Sequence, residues 1–241
     1  MQTRIRCIAL RSVRTAGDKV LLSAWTDAGR TTFAMPSGKS REAQRRRALT
    51  IPLALFEGVA DIRPDRDIVR IADVSPLPAS VAVVGSTLHS MQAMFIADVL
   101  DRLLRRTAPD EYLTDFLFDS LAVFGELSGA ALANFAIHFL ARLTYFFGIE
   151  PDTAGAWRGT YFDMREGRFC LSAPMHPDAL EPAAARVMCL LLQLPLHRTG
   201  LLRLSNLARA RALEEILKYY SIHLAPISDL TSLDILRTLF L

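Results

Sequence analysis

The apolar residues of this chain change their spacing near residue 80, and this change limits the possible folds more than any other feature. Before it, short runs of strand-forming residues alternate with turn-forming ones. After it, apolar residues recur at helical intervals, as at Leu88, Met91 and Phe95. A two-residue period is typical of strands, and the longer period is typical of helices. The sequence therefore predicts a β-rich domain, residues 1–78, followed by a helical domain, residues 79–241.

The N-terminal domain is predicted to contain five short strands, separated by turns such as residues 15–18. Five strands in about 75 residues are typical of a small β-barrel, and Pro76 and Pro78 end this domain. The predicted strands are residues 4–10, 19–26, 30–35, 54–62 and 68–74.

The second domain is predicted to be mainly helical, with one β-hairpin at residues 161–171. Its most apolar helix carries Asn134, His138 and Arg142 at i, i+4 and i+8, so these residues form one narrow polar stripe. Gly148 is expected to end that helix. The predicted helices are residues 88–106, 110–123, 130–147, 181–194, 205–224 and 230–241.

Positive charge is concentrated in the N-terminal third of the chain. Residues 1–75 hold 14 Lys and Arg against 8 Asp and Glu, which gives +6, while the remainder holds 14 against 17, which gives −3. Residues 30–47 run from a strand into a loop with five cations and one acidic residue, Glu42. Such dense charge repels itself and gains nothing by burial. The loop is therefore either merely solvated or binds an anionic polymer.

A basic barrel of this kind is suited to binding nucleic acid. When Lys and Arg bind phosphates, the counterions of those phosphates are released, which favours binding. Trp25, Phe33 and Phe56 are the aromatic residues available to stack on bases, although Phe56 fits a core position better. We predict phosphate contacts without base recognition from Arg11, Arg30, Lys39, Arg41, Arg45, Arg46 and Arg47.

Catalytic motifs are sparse in this sequence. The three cysteines are odd in number and far apart, which argues against a disulfide framework and fits a reducing cytosol. None of the five histidines is spaced from another as metal ligands are, and the nearest cluster, residues 176–178, is more typical of a turn. No phosphate-binding or hydrolase motif is present. We therefore predict no catalytic residue, no metal and no cofactor; an enzyme with an unrecognised acid or histidine site remains an alternative.

The chain is also predicted to be cytoplasmic and without membrane contact. It is charged from its fourth residue and lacks the apolar core of a signal peptide. No apolar run approaches the ~20 residues of a membrane helix.

Several stretches, spread over essentially the whole chain, together resemble the RecO family of bacterial recombination mediators, and most closely its Bacteroidetes-type members. No single motif is diagnostic, but their order and spacing are specific. They are IALRSVRTAGDKVLLSAWTDAGR, the basic loop after it, NFAIHFLARLTYFFGIEPD, YFDMREGRFC and YYSIHLAPISDLTSLDILRTLF.

The resemblance implies an α+β protein in which an OB-fold barrel precedes a mainly α-helical domain with a small β-hairpin. It implies a mediator of recombinational DNA repair that binds single- and double-stranded DNA and anneals complementary strands. With RecR, such a protein helps to load RecA onto DNA coated by single-stranded-DNA-binding protein. It would be cytoplasmic, associated with the nucleoid during repair. A DNA-binding transcriptional regulator with a helical dimerisation or ligand-binding domain is the alternative.

The resemblance further implies contact with the acidic C-terminal tail of single-stranded-DNA-binding protein, which ends in a hydrophobic residue. Such a ligand needs an apolar pocket with cations at its rim. Arg142 lies on the polar stripe and matches the family's helix before its Gly-x-x-Pro; a structural Arg paired with a carboxylate is the alternative. The predicted tail-binding residues are Arg142, Leu143, Tyr145 and Phe146.

The sequence departs from the family at one point. Many members carry a four-cysteine zinc site soon after the Gly-x-x-Pro that matches Gly148 and Pro151, but here the next cysteine is Cys170. We therefore predict no zinc and expect residues 161–171 to be held there by apolar packing alone.

Overall fold

The computed structural model describes residues 2–15, 19–35, 47–63, 66–77, 86–157 and 159–224, together with residues 230 and 232. The chain divides into two compact units, Met1–Glu126 and Leu127–Leu241. The predicted architecture, a small curled β-sheet followed by a helical region with a small antiparallel sheet, is confirmed.

Within the described residues, six strands form one curled sheet, a half-barrel, in the order β5-β3-β2-β1-β4-β6. All neighbours are antiparallel except β3 and β5. The strands are β1 (Thr3–Thr15), β2 (Lys19–Thr26), β3 (Gly29–Met35), β4 (Leu55–Ala60), β5 (Ile68–Val69) and β6 (Ile71–Pro76).

The run predicted as one strand at residues 68–74 is two strands. β5 pairs with β3 in parallel, while β6 pairs with β4 on the opposite edge of the sheet. One straight strand cannot pair at both edges, so the chain changes partner at Arg70. β1 is also longer than predicted, because it stays paired with β2 as far as Thr15 and Lys19.

The two faces of the sheet are both apolar but pack differently. Leu22 and Phe33 are directly paired across β2 and β3, and both are fully buried in the core of the half-barrel. Such cross-strand apolar pairs are the stabilising units of a sheet. Trp25 is fully buried as well, and its indole Nε1 donates to Thr114 Oγ1 at 3.0 Å. This bond joins the sheet to a helix of the same unit.

Helix α1 (Thr87–Leu103) continues as a 3₁₀ turn, Leu104–Arg106, and helix α2 is Glu111–Glu126. Ser86 caps α1 by accepting from the backbone N–H of His89, as expected of serine before a first helical turn. Both helices belong to the compact unit that ends at Glu126. The predicted boundary after residue 78 lies between the last strand of the sheet and helix α1. That it also separates two domains stays a prediction.

The second unit is built around helix α3 (Gly129–Leu143), which continues as a 3₁₀ turn, Thr144–Phe147. Gly148 ends it with a left-handed φ of 67°, a conformation that favours glycine, as the sequence predicts. The predicted hairpin is present and gains a third strand. The remaining elements are β7 (Tyr161–Asp163), β8 (Arg168–Cys170), β9 (Ala179–Leu180), α4 (Pro182–Gln193), a 3₁₀ segment (Leu196–Leu201) and α5 (Asn206–His223).

Among the described residues, one stretch, Gly129–Phe147, is long and apolar enough to cross a membrane by length and composition, and 61% of it is buried inside the protein. This corrects the expectation that no apolar run approaches that length. Burial of this kind is what the core helix of a packed unit also shows. The predicted last helix, residues 230–241, lies outside the described residues except for Leu230 and Ser232, which are both buried.

Candidate nucleic-acid interface

The predicted phosphate-binding residues fall into two groups. Arg11 and Arg47 are described and exposed, and Arg30 is described and half-buried. The backbone carbonyl of Arg47 accepts from the N–H and the hydroxyl of Thr50, at 3.0 and 2.8 Å. The others lie outside the described residues: Lys39, Arg41, Arg45 and Arg46.

Arg30 is engaged in an internal ion pair. Its Nη2 lies 2.6 Å from Oδ1 of Asp101, a carboxylate whose side chain is only 4% exposed. The hydroxyl of Ser23 donates to the same oxygen at 3.0 Å, and Arg105 approaches the other oxygen at 3.6 Å. A buried carboxylate needs such partners, because losing them leaves an uncompensated charge. Arg30 therefore holds helix α1 to the sheet, and its contact with phosphate stays a prediction.

Other arginines of the same unit are also matched by carboxylates. Arg6 binds both Asp27 and Asp115, at 2.8 and 2.9 Å. The hydrogen bond to Asp27 raises the pKa of Arg6 above its usual value. Two further pairs are Arg4 with Glu57 and Arg63 with Asp61. These pairs reduce the positive field of the unit near their own sites.

Four exposed arginines on or beside the strands of this unit differ from these. Arg11 and Arg14 lie on the end of β1 where it pairs with β2, and residues 11–14 of that strand are all exposed. Arg66 and Arg70 flank β5. No described residue forms an ion pair or side-chain hydrogen bond with any of the four. Arg106, at the end of the 3₁₀ turn after α1, is exposed in the same way and also has no described ion-pair partner.

Sequence reasoning missed Arg14, Arg66 and Arg70. For Arg70 a signal was present, since Val69 and Ile71 alternate with it and both are buried, which leaves Arg70 on the outer side. The three aromatic residues considered for base stacking, Trp25, Phe33 and Phe56, are fully buried. They are core residues of the unit and offer no ring face to a base.

In the second unit, the polar stripe of α3 meets backbone carbonyls. Asn134 donates to Thr199 O and Leu202 O, at 3.1 and 2.9 Å, and its own oxygen accepts from Arg209 Nε at 2.9 Å. His138 Nε2 lies 2.8 Å from Leu194 O, and desolvation lowers the pKa of this fully buried imidazole to about 4. The imidazole is therefore neutral at pH 7, and Nε2 carries the proton that it donates.

Arg142, the third member of the stripe, donates from Nη1 to Leu192 O at 2.5 Å. The alternative considered from sequence was a carboxylate partner; the partner is instead a carbonyl in the last turn of α4, where carbonyls lack helical donors. Beyond it, Leu143 is fully buried, while Tyr145 is 61% exposed and Phe146 is half-buried. The rings of Tyr145 and Phe146 meet edge to face at 5.2 Å.

Comparison with known proteins identifies the family. The sequence profile of the C-terminal region of recombination protein O matches residues 88–233. The DNA repair protein RecO of Bacteroides fragilis is 31% identical over 213 residues, which cover 88% of each chain.

The chain belongs to the RecO family.

RecO of Phocaeicola vulgatus is 32% identical over 212 residues, 88% of each chain, and RecO of Porphyromonas gingivalis is 29% identical over 218 residues, 89% of each chain. The predicted resemblance to Bacteroidetes-type RecO proteins is thereby confirmed. Membership of the RecO family gives this chain a role in DNA repair and recombination.

The region after Gly148 and Pro151, where the family resemblance would place a zinc site, is packed with aromatic side chains. Among the residues that the structure describes, no group of three or more His, Cys, Asp or Glu side chains could hold an ion. Phe162 instead packs against Phe169 and Tyr219, with ring centroids 4.9 and 5.7 Å apart. Asp178 adds ion pairs to Arg165 and Lys218, at 2.7 and 2.8 Å. Ion pairs therefore add to the apolar packing of this hairpin, which corrects the expectation that apolar packing alone holds it.

Proposed function

We propose that this RecO protein binds single- and double-stranded DNA through phosphates and anneals complementary strands. The observation that supports it best is the division among the arginines of the first unit, where several are paired with carboxylates while Arg11, Arg14, Arg66 and Arg70 are exposed without a described partner. Cations that are not already matched by carboxylates are those that can replace counterions at phosphates. The seven cations predicted from sequence stay part of this proposal.

The proposal has a direct electrostatic consequence. If about five phosphates of a single strand are neutralised, log K should fall with log salt at a slope near −3.5. A flat salt dependence would contradict phosphate contact. So would unchanged binding after charge reversal of Arg45, Arg46 and Arg47.

Annealing needs no catalytic side chain. Two strands held on a cationic surface are partly neutralised, so their mutual repulsion is screened and pairing becomes faster. The proposal therefore includes no catalytic residue, no cofactor and no nucleotide hydrolysis, and it places the protein in the cytoplasm, with the nucleoid during repair.

We further propose that the second unit binds protein partners: RecR, with which it helps to load RecA, and the C-terminal tail of single-stranded-DNA-binding protein. Support comes from an aromatic pair that follows the Arg142 end of α3, the exposed Tyr145 and the half-buried Phe146. An acidic tail with an apolar end needs a cation beside an apolar surface. Capture of the tail would raise the local concentration of coated DNA at the arginines. Because Leu143 is fully buried, it can support this surface only from beneath.

A strand-annealing assay tests the central proposal. Complementary labelled oligonucleotides, coated with the cognate single-stranded-DNA-binding protein, should anneal faster with the wild-type protein. Arg11→Glu/Arg14→Glu should abolish most of this acceleration, because two phosphate contacts become repulsive.

The matched control is Arg198→Glu/Arg203→Glu, which makes the same change in net charge at two exposed residues of the other unit. It should anneal as the wild type does. Equal losses in both double variants would mean that net charge alone governs the assay. Sequence-specific footprints on duplex DNA would favour a transcriptional regulator instead.

A further inference from the structure

A cleft of about 760 Å³ opens at the junction of β5 and β6. Its walls come from Gln2 just before β1, from residues 59–61 at the end of β4, and from Arg66 and residues 68–72. It exists because the chain leaves one sheet edge after Val69 and joins the other at Ile71. The cleft lies within the first unit and uses none of the seven cations predicted from sequence.

The charge of the cleft is positive. Arg66 and Arg70 both line it, both are exposed, and no described residue forms an ion pair with either. The carboxylate in the described lining is Asp61, which Arg63 already binds at 2.7 Å. That hydrogen bond lowers the pKa of Asp61 to about 2, so the carboxylate stays ionised and matched near neutral pH. An anion entering the cleft therefore meets two unmatched guanidinium groups.

An apolar residue lies between the two arginines. Ile68 lines the cleft and is 50% exposed, so its side chain is accessible to a ligand there. The order cation, apolar, cation follows the alternation of phosphates with sugars and bases along a nucleic-acid strand. A free phosphate or another small anion would use the arginines and leave Ile68 without a role.

The size of the cleft distinguishes a single strand from a duplex. Its volume lies within the ~300–1,000 Å³ of small-ligand pockets, which is enough for one or two nucleotides. A duplex presents its phosphates on a wide convex surface and keeps its bases paired inside, so it cannot place a nucleotide in such a cleft. Base and sugar become accessible only in a single strand.

We propose that the cleft at the β5–β6 junction binds one or two nucleotides of single-stranded DNA, with Arg66 and Arg70 on phosphates and Ile68 against a sugar or base. This inference rests on the proposed function and deepens it by giving the strand a defined site. It also separates strand binding in the cleft from the general attraction of the basic loop.

The test measures anisotropy of a labelled oligo(dT) with the full chain at several salt concentrations. For Arg66→Ala/Arg70→Ala, the salt slope should become less steep by about 1.4, since each strand phosphate contributes about 0.7. At 0.1 M salt, the loss of these two phosphate contacts predicts about 25-fold weaker binding. Ile68→Ser should weaken binding about fivefold with an unchanged slope, because its contact is apolar.

The control Arg198→Ala/Arg203→Ala changes net charge equally and should leave the slope unaltered. All the substituted arginines are exposed, so thermal melting should be the same for each protein. A blunt duplex of the same length should lose much less affinity than oligo(dT) in the Arg66→Ala/Arg70→Ala variant. Equal losses for duplex and strand, or equal losses in the control, would overturn the cleft as a strand site. If the wild type bound no DNA at all, the proposed function itself would fail.

Discussion

In the unit of residues 1–126, arginines pair with carboxylates or remain exposed, whereas in the unit of residues 127–241 the polar residues of α3 meet backbone carbonyls. Carboxylate pairs fix helices to strands and leave the remaining cations available to a ligand. Carbonyl partners instead satisfy chain segments that leave regular structure. Arginine on its own therefore does not indicate a DNA site; its described partners decide which role it has.

The clearest contrast is between Arg30 and Arg70. Arg30 belongs to the basic stretch of the sequence, yet it is bound to Asp101 and half-buried. Arg70 lies outside that stretch, yet it is exposed in a cleft. Within this unit, Arg30 therefore serves packing, whereas Arg70 is available for binding.

The largest effect is expected from removing the carboxylate that holds Arg30. Asp101→Ala should lower the free energy of unfolding by about 4 kcal/mol, because it leaves Arg30 without its carboxylate partner and removes the acceptor of the Ser23 hydroxyl. Urea denaturation measures this, with Asp119→Ala, an exposed acidic residue of α2, as the control. A loss below about 1 kcal/mol, the size typical of surface pairs, would mean that Arg30 is free to bind phosphate.

The next effect concerns the second unit and depends on pH. His138 has a folded-state pKa of about 4, below its ordinary 6.5, because it is desolvated. The unfolded chain therefore takes up a proton near pH 6.5 while the folded chain does not. The contribution of neutral, buried His138 to the free energy of unfolding is fully present above pH 6.5. It is lost as the pH falls to about 4, and the total loss is about 3 kcal/mol.

His138→Gln keeps a donor for Leu194 O but cannot titrate in this range. Its free energy of unfolding should fall less steeply than that of the wild type between pH 6.5 and 4, as measured by urea denaturation at each pH. Parallel pH profiles for the two proteins would show that His138 is solvated and that the polar stripe is not a buried structural feature.

Local patterns in the sequence predicted much of the fold. β2 has the predicted bounds, Lys19–Thr26, and the five helices predicted before residue 225 are all present within a few residues of their expected ends. Hydrophobic period and capping residues act over a few positions, so one sequence suffices to read them. The split at Arg70 was not predictable in the same way, because it depends on which strands lie at the two edges of the sheet.

The site was harder to predict than the fold. Arg30 and Asp101 are 71 positions apart in the sequence, and nothing local to Arg30 indicates its partner. Charge density drew attention to residues 39–47, whereas Arg66 and Arg70 stand among acidic neighbours such as Asp67 that hide them in a composition count. Only the folded structure shows which arginines pair with carboxylates. Composition counts paired and unpaired arginines alike.

The smallest effect tests whether Arg142 belongs to the structure or to a partner site. Arg142→Ala removes a charged donor from Leu192 O and should lower the free energy of unfolding by about 1.5 kcal/mol, a discounted value because the residue is half-buried. Arg142→Lys keeps the charge and Tyr145→Ala removes the exposed ring; neither should cost as much stability.

Anisotropy with a labelled acidic tail peptide then separates the two roles. If the peptide binds Arg142→Ala as tightly as the wild type while unfolding shows the expected loss, Arg142 is a structural residue of α3. If binding falls in Arg142→Ala and Tyr145→Ala but persists in Arg142→Lys, the same arginine both ends the polar stripe and anchors the tail, because only one of its nitrogens is engaged by Leu192 O.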